Sequence, residues 1–118
     1  MATPTLSAKQ QSQLAFLQLL PPKIQRINSV IEQMNSPTLD ETAVRGMIRL
    51  LDEMKAGASQ LSINGLADAL GAMASMARRG GGLQVKIRGL RDLLGGVRTN
   101  YELAVRKASV PVAAEEGA

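Results

Sequence analysis

The chemistry open to this chain is narrow, because its 118 residues include neither histidine nor cysteine. Disulfides, thiolate nucleophiles and Ser-His or Cys-His pairs are therefore impossible, and zinc or non-haem iron loses its usual ligands. Carboxylate-held magnesium is what remains, and the adjacent acids Asp52 and Glu53 project to different sides of a helix and do not converge. Gly80-Gly81-Gly82 lies between two helical segments and lacks the Gly-Lys-Ser/Thr ending of a phosphate-binding loop. An enzyme is the class these residues support least, and neither a metal nor a cofactor is expected.

Binding chemistry concentrates instead in the stretch from Arg45 to Leu61. Met47, Leu50, Met54 and Leu61 recur at helical spacing, while Arg45, Arg49, Asp52, Lys55 and Ser59 line the other side. The spacing predicts a long helix with one dry face and one polar face. Asp52 stands three residues from both Arg49 and Lys55, so elementary electrostatics predicts solvated ion pairs among them, worth about a few tenths of a kcal/mol.

The polar face, read as Asp52-Glu-Met-Lys-Ala-Gly-Ala-Ser-Gln-Leu-Ser62, resembles the active helix of histidine-phosphotransfer (HPt) domains. That family's signature runs roughly His-Thr-Leu-Lys-Gly-Ser-Ala, followed by a small-polar-Leu-Gly run. Lys55, the small residues Ala56 to Ala58 and the Gln60-Leu61 pair keep the pattern, and Asp52 stands where the phosphorylated imidazole would be. The resemblance covers about residues 13 to 108, beginning with Leu14-Ala-Phe-Leu-Gln-Leu-Leu-Pro. It implies a degenerate member of the family, an up-down four-helix bundle, and a surface around Arg45, Ile48, Arg49, Asp52, Lys55, Ala56 and Ser59 that docks a receiver domain or a histidine kinase. Phosphotransfer itself is not expected. It needs an imidazole that attacks an aspartyl phosphate and passes the group on, and a carboxylate at Asp52 would meet an acidic phosphoacceptor pocket with repulsion. The function implied is a non-catalytic signalling adaptor of a two-component pathway. Plain loss of the phosphoacceptor is preferred over Asp52 acting as a fixed charge resembling phosphohistidine.

The remaining pattern supplies the elements that must position this face. Hydrophobic residues make up 45% of the chain and aromatics 2%, Phe16 and Tyr101 alone, so the core must be aliphatic and suits packed helices. Ser7 is placed to cap a first helix over Ala8 to Leu20, which Pro21-Pro22 breaks or bends. A second helix follows over Lys23 to Asn35 with Ile24, Ile27, Ile31 and Met34 inward. Thr38-Leu-Asp-Glu41 reads as a capping box opening a third helix over Leu39 to Leu61, with Ala43, Met47, Leu50, Met54 and Leu61 inward and Leu51 and Val44 widening the buried stripe. A fourth runs from Leu66 to Arg79 with Leu66, Leu70, Met73 and Ala77 inward, and a fifth from Leu83 to Ala108 with Ile87, Leu90, Leu94, Val97, Tyr101 and Ala104 inward. Gly95-Gly96 interrupts that last seam and predicts a bend or a close helix contact, with a break into two helices as the alternative. Residues 1–6 and 109–118 read as loose tails around one domain spanning 7–108. Short connections favour an up-down-up-down all-α bundle, with the first helix as a lid or an extension.

Net charge is +4, within the ordinary range for a small soluble domain. Arg78, Arg79, Lys86, Arg88, Arg91, Arg98, Arg106 and Lys107 concentrate it in the second half, which makes nucleic acid an alternative partner. Interspersed acids and the scarcity of aromatics for base stacking oppose that reading. A further alternative is an assembly or scaffold bundle that meets a partner helix through Met47, Met54, Met73 and Met76, although methionines at helical spacing are more often core. The amino terminus lacks the basic start and apolar run of a signal peptide, and no stretch approaches the roughly 20 apolar residues that span a bilayer. The expected location is the cytoplasm.

Overall fold

The computed structural model describes residues 5–38 and 40–111. They form five α-helices: α1 (Ala8–Leu17), α2 (Leu20–Gln33), α3 (Glu41–Gln60), α4 (Asn64–Arg78) and α5 (Leu83–Ser109). No strand occurs among the described residues, and the chain is an all-α bundle. No helix among them is long and apolar enough to cross a membrane. The tails expected at 1–6 and 109–118 fall largely outside the described residues, and Ser109 itself belongs to α5.

Five helices make four rods. Gln10 of α1 donates from its amide to the carbonyls of Lys107, at 3.2 Å, and Val110 at the far end of α5. Glu32 of α2 pairs with Arg91 at 3.0 Å, and Asn35 accepts from Gln84 at 2.7 Å near the beginning of α5. Contacts that progress in opposite directions along the two segments mean that α1 and α2 together run antiparallel to α5. The first helix is thus an extension of the second, bent at Gln18-Leu19. The rods α1–α2, α3, α4 and α5 close a ring in which each packs on the next, so α3 and α5 occupy opposite corners.

The sequence encodes the bend at its prolines. A proline lacks the amide a helix interior needs, but the first turn of a helix leaves its amides unbonded anyway. The helix therefore stops at Leu17 and restarts at Leu20, with Pro21 and Pro22 inside the new first turn rather than ahead of a helix starting at Lys23. Ser7 caps α1 as expected, and Gln10 completes a capping box: the Gln10 N–H donates to Ser7 Oγ and the Ser7 N–H to Gln10 Oε1, both at 3.0 Å.

The opening of α3 corrects the capping-box expectation. Asp40 is the cap, its Oδ1 accepting the Thr42 N–H at 2.9 Å, whereas the Thr38 hydroxyl is occupied by Ser36 Oγ at 2.8 Å. Leu39, the expected first residue, lies outside the described residues. At the other end Ser62 takes φ 60°, and the Ile63 N–H reaches back to the Ala58 carbonyl at 2.8 Å, the six-to-one bond of a Schellman turn. Ile63 is buried just after the turn, which anchors the start of α4 at Asn64 rather than Leu66.

The core is aliphatic, as the composition requires. Ile24, Ile27 and Ile31, Met47, Leu51 and Met54, Leu66, Leu70 and Met73, and Ile87, Leu90, Leu94 and Val97 meet along the axis. Full burial of one such side chain is worth about 1.5–3 kcal/mol. Leu51, expected to widen the stripe, holds the centre of α3, because the buried seam runs through Met47, Leu51, Met54 and Ala58; Leu50 and Leu61, expected inward, are half-buried at its edge with Val44. Tyr101 and Ala104 are likewise half-buried. Met47, Met54 and Met73 are buried, so they offer no contact surface, and Met76 is only partly exposed.

The Gly95-Gly96 expectation is corrected on one point. α5 continues through both residues, and a Cβ at either would meet nothing within 4 Å, so no other rod approaches closely there. The close approaches fall at other glycines: a Cβ at Gly57 would lie 2.9 Å from Phe16 Cζ, and one at Gly89 the same distance from Met76 Cε.

Candidate functional site

Arg45, Ile48, Arg49, Asp52, Lys55, Ala56 and Ser59 all lie on α3, at intervals of three and four residues that keep them on one side of it. That side is turned away from the Met47–Ala58 seam. Arg45, Arg49, Lys55, Ala56 and Ser59 are exposed, Asp52 is partly exposed, and Ile48 packs its inner edge against the core. The strip is an outer face of the bundle, built on a helix that is fixed at one end by the Asp40 cap and at the other by the Schellman turn.

The expected local ion pairs are not the ones formed. Asp52 reaches across to α4, where Arg78 Nη2 donates to its Oδ2, and it pairs with neither Arg49 nor Lys55. Arg45 instead pairs with Glu41 one turn earlier at 3.6 Å, with both side chains largely in solvent. Lys55 also leans toward α4: a Cβ built on Gly71 would lie 3.4 Å from its Cδ, 3.3 Å from its Cε and 3.2 Å from its Nζ. The lysine stem therefore rests on the one place in α4 where no side chain stands in its way. These contacts make the strip a composite of two helices, with the carboxylate paired to Arg78 of α4 and the lysine stem lying over Gly71.

Gly71 was not singled out by pattern, and Arg78 was named only within the basic set of the second half, not as part of the strip. A glycine within an otherwise alanine-rich helix was the available signal for Gly71, since it weakens the helix by about 1 kcal/mol relative to alanine and so implies a close neighbour. Nothing in the spacing pointed to Arg78, because a pairing between rods depends on their relative height.

The strip presents charged, apolar and small side chains together on one surface. No cluster of three acidic side chains able to hold a metal occurs among the described residues. Among the titratable groups, Asp40 has its carboxyl held below the ordinary value of 3.8, chiefly by the Thr42 backbone N–H, then by the Thr42 hydroxyl, with a smaller contribution from Arg45. That effect belongs to the helix cap, not to the strip.

A separate open cleft of about 870 Å³ lies where α1 and α4 begin and α5 ends. Lys9, Arg106 and Lys107 stand at its rim beside Ile63 and Leu103, and no residue of the α3 strip lines it.

The fold and the strip together define a helical bundle with an exposed polar face on one of its rods. No protein-family model matches the chain, and neither a curated protein nor a solved structure matches it.

Proposed function

We propose that this chain is a non-catalytic, HPt-like adaptor that binds a receiver domain or a histidine kinase through the α3 strip. The observation that supports this most is the pair of contacts joining the strip to α4: Asp52 with Arg78, and the Lys55 stem on Gly71. They bring side by side the residue at the position the resemblance gives the phosphoacceptor and the basic side chain it matches, with Ile48, Ala56 and Ser59 around them. A docking surface ordered before the partner arrives loses less side-chain freedom on binding. Phosphoryl transfer plays no part, since Asp52 is engaged by a guanidinium and no imidazole is available.

The same contacts disfavour nucleic acid as the partner. Arg78 and Arg91 are each paired with an acid of another rod, and Asp92 and Glu102 interrupt the basic residues of α5, so the charge forms no continuous stripe for a phosphate backbone.

The test is a titration of the purified protein with receiver domains from the same genome. The expected result is saturable binding by at least one of them, weakened at least about tenfold by Lys55→Glu and by Ile48→Asp. Binding by none, or binding that neither substitution changes, would overturn the proposal. A mobility-shift assay with DNA and RNA separates the alternative, because phosphate-driven binding weakens steeply with salt.

A further inference from the structure

The cleft where α1 and α4 begin and α5 ends is a built concavity, not a gap left by loose packing. Gln10, the one buried polar side chain among the described residues, ties α1 to the last turn of α5 through the carbonyls of Lys107 and Val110. Gln13 ties α1 to the turn between α3 and α4, its amide donating to the Leu61 carbonyl at 2.8 Å. Both glutamines line the cleft, so its walls are cross-linked by the fold itself. Its volume of about 870 Å³ falls within the roughly 300–1,000 Å³ of small-molecule sites.

Apolar surface and positive charge meet there. Leu103 and Val110 are 48% and 55% exposed, two of the five large apolar side chains so exposed among the described residues, and both stand on the cleft beside the buried Ile63 and Leu66. Lys9, Arg106 and Lys107 are exposed around them. Among the described residues no carboxylate lines the cleft, and none of the three cations takes part in an ion pair, the salt bridges being Arg45–Glu41, Arg78–Asp52 and Arg91–Glu32. Arg106 and Lys107 suit the negative end of α5. Lys9 does not suit its place: it stands in the first turn of α1, where the helix dipole disfavours a cation and no acid of that turn offsets it. An anion held between the three cations would.

We propose that the cleft binds a small amphiphilic anion, a free molecule whose aliphatic body lies against Ile63, Leu103 and Val110 and whose negative head sits among Lys9, Arg106 and Lys107. The aliphatic body follows from the walls, which carry no aromatic ring on which a base or other planar ring would stack. The negative head follows from the three cations and the lack of any acid beside them. A single molecule fits better than a bilayer, because the apolar side chains line a recess that a lipid surface cannot enter. The cross-links made by Gln10 and Gln13 hold the recess open before the ligand arrives, so little ordering is left to oppose binding.

The test is calorimetric titration of the full chain with decanoate below its micelle threshold. Acetate, which has the head without the body, and decyltrimethylammonium, which has the body with the opposite charge, are the comparison probes. One-site binding of decanoate is expected with a dissociation constant of about 1 mM or tighter, and binding at least about tenfold weaker for each of the other two. Leu103→Asp, and Arg106→Glu together with Lys107→Glu, should each weaken decanoate at least about tenfold, whereas Arg88→Glu near the beginning of α5 leaves it unchanged. Circular dichroism confirms that each variant keeps its helices. No saturable binding of decanoate would overturn the proposal, as would equal binding of the cationic probe, indifference to the cleft variants, or attachment to phosphatidylglycerol vesicles without binding of free decanoate. The α3 strip takes no part, so Lys55→Glu should leave decanoate binding intact, and these outcomes do not depend on whether a receiver domain binds α3.

Discussion

Asp52, at the centre of the polar side of α3, is held by Arg78 of the neighbouring rod and not by the arginine and lysine three residues away on its own helix. Both side chains keep about half their exposure, 44% for Asp52 and 53% for Arg78, so solvent screens the pair. Its role is to fix where the carboxylate points. In a double-mutant cycle of Asp52→Asn and Arg78→Gln, chemical denaturation should give a coupling no larger than about 1 kcal/mol, smaller still at high salt. A coupling of several kcal/mol would mean that the pair is buried and structural.

Gly57 of α3 lies under the ring of Phe16, close enough that an added Cβ would fall 2.9 Å from Cζ and 3.2 Å from Cδ1. Alanine is the better helix former by about 1 kcal/mol, yet here the ring would have to move. Gly57→Ala is expected to lower stability by about 1–3 kcal/mol, the usual cost of overpacking, and Gly57→Ala with Phe16→Leu to recover part of it. Denaturant midpoints measure both. A stabilised Gly57→Ala would show that α1 is free to swing away from α3.

Ser62 holds φ 60°, a left-handed conformation that disfavours residues with a Cβ. Glycine removes that penalty but enlarges the freedom of the unfolded chain. The balance favours Ser62→Gly by up to about 1 kcal/mol, read as a higher melting temperature with unchanged helical content.

Asp40 gives a prediction in pH. Its folded carboxyl titrates below the unfolded value of 3.8, because the ionised form accepts the Thr42 N–H and hydroxyl. A carboxylate depressed in the fold contributes stability that is present above the unfolded value and lost as pH falls through the folded one. Asp40→Asn should therefore change the pH dependence of the melting temperature only in the acid range below about 4, flattening the decline there. An unchanged acid limb would show that the cap does not sense the charge.

Much of the fold was legible because the apolar positions of each rod recur at three and four residues. That rule correctly places Ile24 to Met34, Leu66 to Ala77 and Ile87 to Val97 on buried seams. It cannot rank adjacent positions by burial, which is why Leu50 was expected inward and Leu51 at the stripe's margin, where the structure puts Leu51 at the centre and Leu50 at the edge. Capping was half legible: Ser7 caps α1 as expected, whereas Thr38 competes with Asp40 two residues on and its hydroxyl bonds Ser36 instead. Periodicity and the resemblance to the HPt signature put the seven residues of the α3 strip on one side of one helix, where the structure has them. Their contacts with Arg78 and Gly71 were not legible, since contacts between rods depend on heights that no single helix encodes.

The most direct measurement of the proposed docking role is an NMR titration of isotope-labelled protein with the receiver domain that binds it. Shifts are expected at Ile48, Arg49, Asp52, Lys55, Ala56 and Ser59, together with Gly71 and Arg78 of α4, while the outer face of α5 around Gly95 stays unchanged. Perturbations confined to α5 or to the Lys9–Arg106 cleft, with the α3 strip silent, would contradict it.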